Sequence, residues 1–262
     1  MSNIHQLLLF LQACPRVNQQ IDVLRELNSA LTAASGHPSQ IRVGGVIQAL
    51  VPLLPGTNNE VVLLAIRALI TCIDITPRTA TSLVESGAVA PMCGRLLKIQ
   101  DMDVAEACLK CLHLLSKDNP RAVLEAGGAK ACLAFFGLFP MELQQNALDT
   151  VSRLVAPGVC GRHADIRRAR EILPFLRECL QKRQADGAVA GESSVRFRRG
   201  GIGAAGKSGN VRRRSTASGR RTLRGKWGPD DVSQMASLCL ERMVVSFSTP
   251  IENTTEPRSV SR

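Results

Sequence analysis

Apolar and polar positions alternate with a helical period along most of the first 180 residues. In the segments Val61–Ile73, Val104–Leu115 and Gln144–Val155, apolar residues recur every three or four positions and so fall on one face of a helix. Short breaks rich in Pro, Gly, Asn and Asp separate such segments, for example at 55–58 and 118–120. The pattern predicts an all-α chain of amphipathic helices.

A glycine-marked segment recurs with a period near forty residues. It begins at Gly45, Gly87 and Gly128, and each copy is followed by an apolar segment, a polar break and a longer amphipathic segment. Such a period is typical of helical solenoids, whose units bury their apolar faces only against neighbouring units. We therefore predict stacked repeats of two or three helices each.

The composition changes after residue 182. We predict that residues 1–182 form the repeats, with a degenerate first unit at 4–34. Residues 183–230 are rich in Gly, Ser, Ala and Arg and contain almost no large apolar side chain. Because such a segment cannot offset the entropy lost on ordering, we predict a disordered insertion there. Residues 231–248 are predicted to add one final repeat helix, and 249–262 a disordered tail.

The charge is concentrated in the predicted insertion. The chain of 262 residues carries a net charge of +11, and residues 187–226 hold 11 Lys or Arg against one acid, Glu192, which leaves the repeats nearly neutral. A tract within the insertion is a candidate nuclear localisation signal, phosphate-binding tract or kinase site, or else a solvated linker. It comprises Arg212, Arg213, Arg214 and Ser215. Only Phe197 and Trp227 supply aromatic rings nearby, so nucleic acid is not the expected partner.

Two short motifs invite a chemical interpretation, and their context argues against both. Gly201–Ser208 matches a phosphate-binding loop, but neither a buried strand nor a helix pattern flanks it. Cys108, Cys111 and His113 lack the spacing for haem attachment and have no second ligand pair at zinc spacing. Two cysteines three residues apart share a helix face and suit core packing. We expect no metal, no cofactor and no catalytic set.

The remaining composition indicates an intracellular setting. The nine cysteines show no pairing rhythm, and no secretory leader precedes the helical pattern, so we expect reduced thiols and a location in the nucleus, the cytoplasm or both. No stretch approaches the ~18 apolar residues that a membrane span requires, and no membrane association is expected.

Four segments together carry a family resemblance. They are Val84–Val89, Asp103–Leu109, Leu124–Gly128 and Gln144–Leu148. They resemble the armadillo region of HECT-type ubiquitin ligases, in the ubiquitin-fusion-degradation and thyroid-receptor-interacting branch. The resemblance implies a right-handed superhelical solenoid with protein substrates or degradation-signal peptides, and other proteins of the ubiquitin system, as partners.

The resemblance covers residues 3–155 and resumes at 169–180 and 233–247, which resemble the second and third helices of one further repeat. The basic insertion therefore interrupts a repeat. Nothing in the chain resembles the family's catalytic lobe with its thioester-forming cysteine. We expect a substrate-recognition arm that is not catalytic alone.

The alternative is an importin-like or catenin-like adaptor that binds extended peptides without ubiquitin chemistry. Importin-like grooves present Trp and Asn one helical turn apart, and this chain has other residues at those positions. The pairs are Arg67 and Thr71, Lys110 and Leu114, and Asp149 and Arg153. We favour the ligase arm and predict that Arg67, Lys110 and Asp149, which occupy one equivalent position in three repeats, contact the partner.

Overall fold

A computed structural model describes most of the repeat region and one later helix. The described residues are 3–13, 16–34, 43–156, 158–159, 163–177 and 229–248. Within these ranges the chain forms helices and turns and no strand. The all-α fold predicted from the helical period is confirmed.

Thirteen helices are described in these ranges. In chain order they are α1 Asn3–Ala13, α2 Val17–Ala33, α3 Val43–Leu50, α4 Asn59–Ile75, α5 Thr79–Glu85, α6 Val89–Leu97, α7 Met102–Asp118, α8 Pro120–Glu125, α9 Gly128–Leu133, α10 Met141–Leu154, α11 His163–Arg170, α12 at 173–177 and α13 Pro229–Ser248. Two 3₁₀ turns, Val51–Leu53 and Phe136–Leu138, follow α3 and α9.

The helices group into stacked units. Helices α5, α6 and α7 form one three-helix repeat, and α8, α9 and α10 form the next, whereas α1 with α2 and α3 with α4 are described as pairs. The long last helix of each unit packs on the last helix of the next unit, in the order α2, α4, α7 and α10. We call these the third helices, and their row is the spine of the solenoid.

Helix α13 extends that row. It packs against α10, although α12 ends 52 residues before α13 begins. Ala236, Cys239 and Met243 are buried on α13, and Arg242 donates from its guanidinium to the carbonyl oxygen of Ser152 at 3.0 Å. Helix α13 therefore occupies the third-helix place in the unit that α11 and α12 begin.

One continuous apolar core runs between the third helices and the shorter helices beside them. Its side chains come from every unit, and Leu27, Leu69 and Leu112 illustrate its fully buried members on three successive third helices. Burial of each such leucine contributes roughly 1.5–3 kcal/mol relative to exposure. Because each helix buries its apolar face against the adjacent unit, stability depends on stacking.

Local chemistry sets where the third helices begin. The side chain of Asn58 accepts a hydrogen bond from the backbone N–H of Val61 at 3.0 Å, and that of Asp101 accepts one from Val104 at 3.1 Å. Each side chain satisfies a donor that the helix leaves unpaired in its first turn.

Two glycines mark the turn between the first and second helices of successive repeats. Gly87 and Gly127 have φ angles of +79° and +82°, the left-handed region that favours glycine. They are forty residues apart, so Gly127, rather than its neighbour Gly128, is the counterpart of Gly87. Gly128 meets a different demand, because a Cβ there would lie 2.5 Å from Cγ1 of Val123.

Several predictions concern residues outside the described ranges. They include most of the predicted insertion at 183–230, the tail at 249–262, the loop-like motif Gly201–Ser208, and the tract Arg212, Arg213, Arg214 and Ser215. The final predicted helix, 231–248, corresponds to α13 at Pro229–Ser248. No helix within the described residues is long and apolar enough to span a membrane.

Candidate partner-binding face

The third helices present one solvent-exposed side, which we call the third-helix face. Arg67 on α4, Lys110 on α7 and Asp149 on α10 lie at one equivalent position of it. Each directly follows a fully buried side chain. Those buried residues are Ile66, Leu109 and Leu148. Arg67 and Lys110 are exposed, and Asp149 is half-buried. The three predicted residues are thus aligned on adjacent helices.

The three side chains differ in what they contact. Within the described residues, Arg67 and Lys110 make no ion pair and no side-chain hydrogen bond. Asp149, by contrast, accepts a hydrogen bond from Arg153 one turn later, and its Oδ2 lies 4.0 Å from Nδ1 of His113 on α7. Two of the predicted contacts are therefore available cations, and the third is an anion already engaged.

A polar cluster connects α7 to α10 beside Asp149. Nδ1 of His113 lies 3.3 Å from the carbonyl oxygen of Asn146 and 3.2 Å from Oγ1 of Thr150. Because that hydroxyl already donates to the same carbonyl, at 2.6 Å, the geometry assigns the proton to Nδ1. Arg153 completes the cluster by donating to Oγ of Ser116 at 3.2 Å.

The surroundings of His113 favour its neutral form. Burial is the largest effect that lowers the pKa of His113, and the positive charge of Arg153 adds to it, while Asp149 acts in the opposite direction. The imidazole is thus a structural link between two third helices. The Thr150 hydroxyl and the Asp149 carboxylate both approach Nδ1, whereas a catalytic triad uses both ring nitrogens.

A similar link joins α2 to α4. The Asn28 amide donates to the carbonyl oxygens of Leu24 at 2.8 Å and Leu64 at 3.0 Å. Nearby, Arg25 donates from Nη2 to Oε1 of Glu60 at 2.5 Å, and this ion pair is exposed. These contacts were not predicted from the sequence. The sequence signal that could have found them is position in the repeat, because Asn28 follows Arg25 by three residues, just as His113 follows Lys110.

The positions one turn after the aligned residues also differ from an importin-like groove. The hydroxyl of Thr71 donates to the carbonyl oxygen of Arg67 at 3.1 Å, Leu114 is half-buried, and Arg153 is held by Asp149. None of them is an amide that could bond the backbone of an extended peptide. Recognition on this face would rest on side-chain charge.

The described cysteines are buried packing residues. Cys72, Cys93, Cys108, Cys111 and Cys132 are free and buried, and Cys239 is buried as well. Burial raises the pKa of the Cys72, Cys93 and Cys108 thiols to about 12 and also raises the pKa values of Cys111 and Cys132. A thiol in this state supplies almost no thiolate near neutral pH. No cluster of metal-binding side chains is found among the residues described.

Comparison with known protein families supports the resemblance drawn from the sequence. Residues 1–125 match a family described as "E3 ubiquitin-protein ligase TRIP12-like, TPR repeats". This chain resembles the N-terminal repeat region of HECT-type ubiquitin ligases. Repeats of the TPR type are helix pairs, and the pairs α1 with α2 and α3 with α4 fall within the matched residues.

Characterised ligases are similar over the same part of the chain. The E3 ubiquitin-protein ligase UPL4 of Arabidopsis thaliana is 36% identical over 134 residues, which are 50% of this chain and 9% of that protein. UPL3 of the same plant is 33% identical over 52% of this chain, and TRIP12 of Danio rerio is 33% identical over 56%, each match covering 7% of the relative. The matched part of this chain thus spans less than a tenth of the length of these relatives.

The solved structures with a similar fold include designed armadillo repeat proteins. One is a designed armadillo repeat protein in complex with the peptide (KR)4, with a TM-score of 0.56 and 16% identity over 92% of this chain and 100% of that chain. Another is a computationally designed armadillo repeat protein for modular peptide recognition, with a TM-score of 0.57 and 17% identity over 90% and 98% of the two chains. The predicted armadillo-like solenoid is confirmed.

Proposed function

We propose that this chain is the substrate-recognition arm of a HECT-type ubiquitin ligase and that its third-helix face holds protein substrates or degradation-signal peptides. The alignment of Arg67, Lys110 and Asp149 on three adjacent third helices carries the proposal, because it offers one repeated contact along an extended segment. Similarity to ubiquitin ligases supports this biochemical setting, and we propose proteins of the ubiquitin system as the other partners.

In this proposal the chain recognises substrate and another part of a ligase transfers ubiquitin. Transfer through a HECT thioester needs an accessible cysteine with substantial thiolate character. The described cysteines are buried, and the pKa is raised for the five on α4, α6, α7 and α9. Their role is to fill the seams between helices.

A peptide-binding adaptor without ubiquitin chemistry is the second candidate. It is favoured by the armadillo relative whose structure contains the peptide (KR)4. The two candidates differ in what they bind, since a ligase arm selects substrates of ubiquitination, whereas an adaptor retains its peptide whether or not a ubiquitin ligase acts on it.

The first test is a pulldown of a ubiquitin-fusion substrate with the full chain. The triple variant Arg67→Ala, Lys110→Ala and Asp149→Ala is expected to retain less than about a fifth of the bound substrate, because interface energy concentrates in a few residues. The control changes Arg78 and Lys130 to Ala, since both are exposed basic residues on other helices or turns. Equal retention by the two variants contradicts the proposed face.

The same preparation separates recognition from catalysis. With activating enzyme, conjugating enzyme and ubiquitin present, the chain should form no adduct that a thiol reductant releases. A reductant-sensitive adduct on any of the nine cysteines refutes the non-catalytic role. Binding of many basic peptides without any ubiquitin-fusion substrate would favour the adaptor.

A further inference from the structure

The charges along the third-helix face are not equivalent once their partners are considered. On α2, Arg25 is paired with Glu60 of α4 at 2.5 Å. On α10, Asp149 is engaged by Arg153, and the Nδ1 atom of His113 lies 4.0 Å from its carboxylate. The charges at this position on the two helices that flank α4 and α7 are thus neutralised by contacts within the chain.

The two positions between those flanking helices are cations. Arg67 and Lys110 are exposed and form no ion pair within the described residues. Glu106 lies one turn before Lys110 on α7, at a spacing that allows an ion pair, and none forms. At the aligned position, therefore, both charges that lack an ion pair within the described residues are positive, and Glu106 adds one carboxylate a turn away.

We propose that Arg67 and Lys110 bind two carboxylates of an extended acidic peptide laid across α4 and α7. This proposal rests on the proposed function and specifies its substrate class. In the sequence, the aligned position has a mixed charge, because Asp149 occupies it on α10. Because Arg153 satisfies Asp149, the ligand that complements the two other charges at the aligned position is anionic.

Helix spacing limits the separation of the two carboxylates. Packed helices lie about 8–10 Å apart, and an extended chain advances about 3.3 Å per residue. Acidic residues two or three positions apart can therefore reach both cations. Ile70 and Leu114, both half-buried and one turn beyond Arg67 and Lys110, offer apolar surface to a residue between the two acids.

The test uses fluorescence anisotropy with labelled peptides of Glu-Val-Ser, Gln-Val-Ser and Lys-Val-Ser repeats, together with (KR)4. The full chain should bind the Glu peptide most tightly. The variant Arg67→Glu with Lys110→Glu should weaken that binding about tenfold at roughly 0.15 M salt, because two favourable charge contacts become repulsive. Asp149→Asn should not weaken it.

The matched control is Arg78→Glu with Lys130→Glu, which removes the same charge types from exposed positions away from the face. It is needed because the basic residues of 187–226 also attract acidic peptides, and they do so equally in both variants. The affinity of the control variant for the Glu peptide should stay within about twofold of that of the original chain. Equal weakening by both variants overturns the proposal, as does a preference for the Lys peptide or (KR)4.

Two further outcomes separate this inference from the function on which it rests. If the charge-reversal pair leaves the Glu peptide bound while the triple alanine variant loses the ubiquitin-fusion substrate, the acidic class is wrong and the recognition face stands. If Arg67→Glu with Lys110→Glu weakens the binding of an oligothymidylate more than the binding of the Glu peptide, the site binds nucleic acid and the peptide assignment fails.

Discussion

At the scale of single residues, His113 shows how a polar side chain can join two repeats. Its imidazole faces Asn146, Asp149, Thr150 and Arg153 on α10 and has Lys117 one turn later on its own helix. Burial and the two cations outweigh Asp149, so the pKa of His113 lies below its ordinary value. The folded chain consequently resists protonation at this position.

The lowered pKa predicts a pH-dependent stability. Between the ordinary histidine pKa of about 6.5 and the lower folded value, the unfolded state binds more protons, so the free energy of unfolding rises with pH. The Tm should rise as pH is raised from about 5 to 7, and His113→Gln should flatten that rise. Thermal melts of both proteins at several pH values measure it. The control is His5→Gln, which removes an exposed imidazole and leaves the cluster between α7 and α10 intact.

At the scale of elements, the junctions between short helices depend on glycine. Gly127 ends α8 with a φ of +82°, where an L side chain is strained. Gly94 lies within α6, is exposed and has open space where its Cβ would be. The two glycines therefore differ in conformation, because Gly127 needs a positive φ whereas Gly94 lies in a regular helix.

Alanine at the two glycines should change stability in opposite directions. Gly127→Ala should lower the free energy of unfolding by about 1–2 kcal/mol, because the left-handed conformation is costly for alanine. Gly94→Ala should raise it by about 0.5–1 kcal/mol, since alanine is the better helix former. Urea denaturation monitored by circular dichroism measures both. A Gly127→Ala protein as stable as the original would contradict the assigned turn.

A second element-scale feature is the guanidinium of Arg95, which ties α6 to the loop before α4. It donates to the carbonyl oxygen of Gly56 and to Oδ1 of Asn59, the latter at 3.3 Å. Gly56 lies just after the 3₁₀ turn that follows α3, and Asn59 is the first residue of α4. The contact thus holds the loop of one repeat against the second helix of the next.

At the scale of the whole molecule, the row of third helices is extended by α13, which is distant in sequence from the other helices. Helix α13 places Cys239 and Met243 against α10, with the Cys239 thiol 3.7 Å from the carbonyl oxygen of Leu148. Sequence reasoning predicted the insertion at 183–230 to be disordered, and that remains a prediction because 178–228 lie outside the described residues.

Brief trypsin treatment should cut the chain first between 186 and 228, and the two products should remain associated. The expected reason is that Ala236, Cys239 and Met243 stay buried against α10 after cleavage. Size-exclusion chromatography followed by mass spectrometry would show co-elution. Met243→Asp should release the α13 fragment, because a charge replaces a buried side chain. Leu238→Asp, at a position 36% exposed, should not.

Much of the solenoid follows from the sequence because helix formation and helix faces are local. The apolar period placed α4, α7 and α10 close to their observed bounds. The counterpart of Gly87 was predicted at Gly128, one residue too late, because sequence spacing cannot tell the left-handed Gly127 from the closely packed Gly128. The roles of Asn28 and His113 were missed, because their partners lie on neighbouring helices.

The sequence by itself therefore determined the helical class, the repeat and the equivalence of Arg67, Lys110 and Asp149, since each depends on periodicity along one chain. Only the tertiary structure decided that Asp149 is engaged by Arg153 and near His113, whereas Arg67 and Lys110 form no ion pair with any other described residue. It also decided that α13 completes the row beside α10. Charge pairing and helix packing depend on distances between segments, and no local pattern encodes those distances.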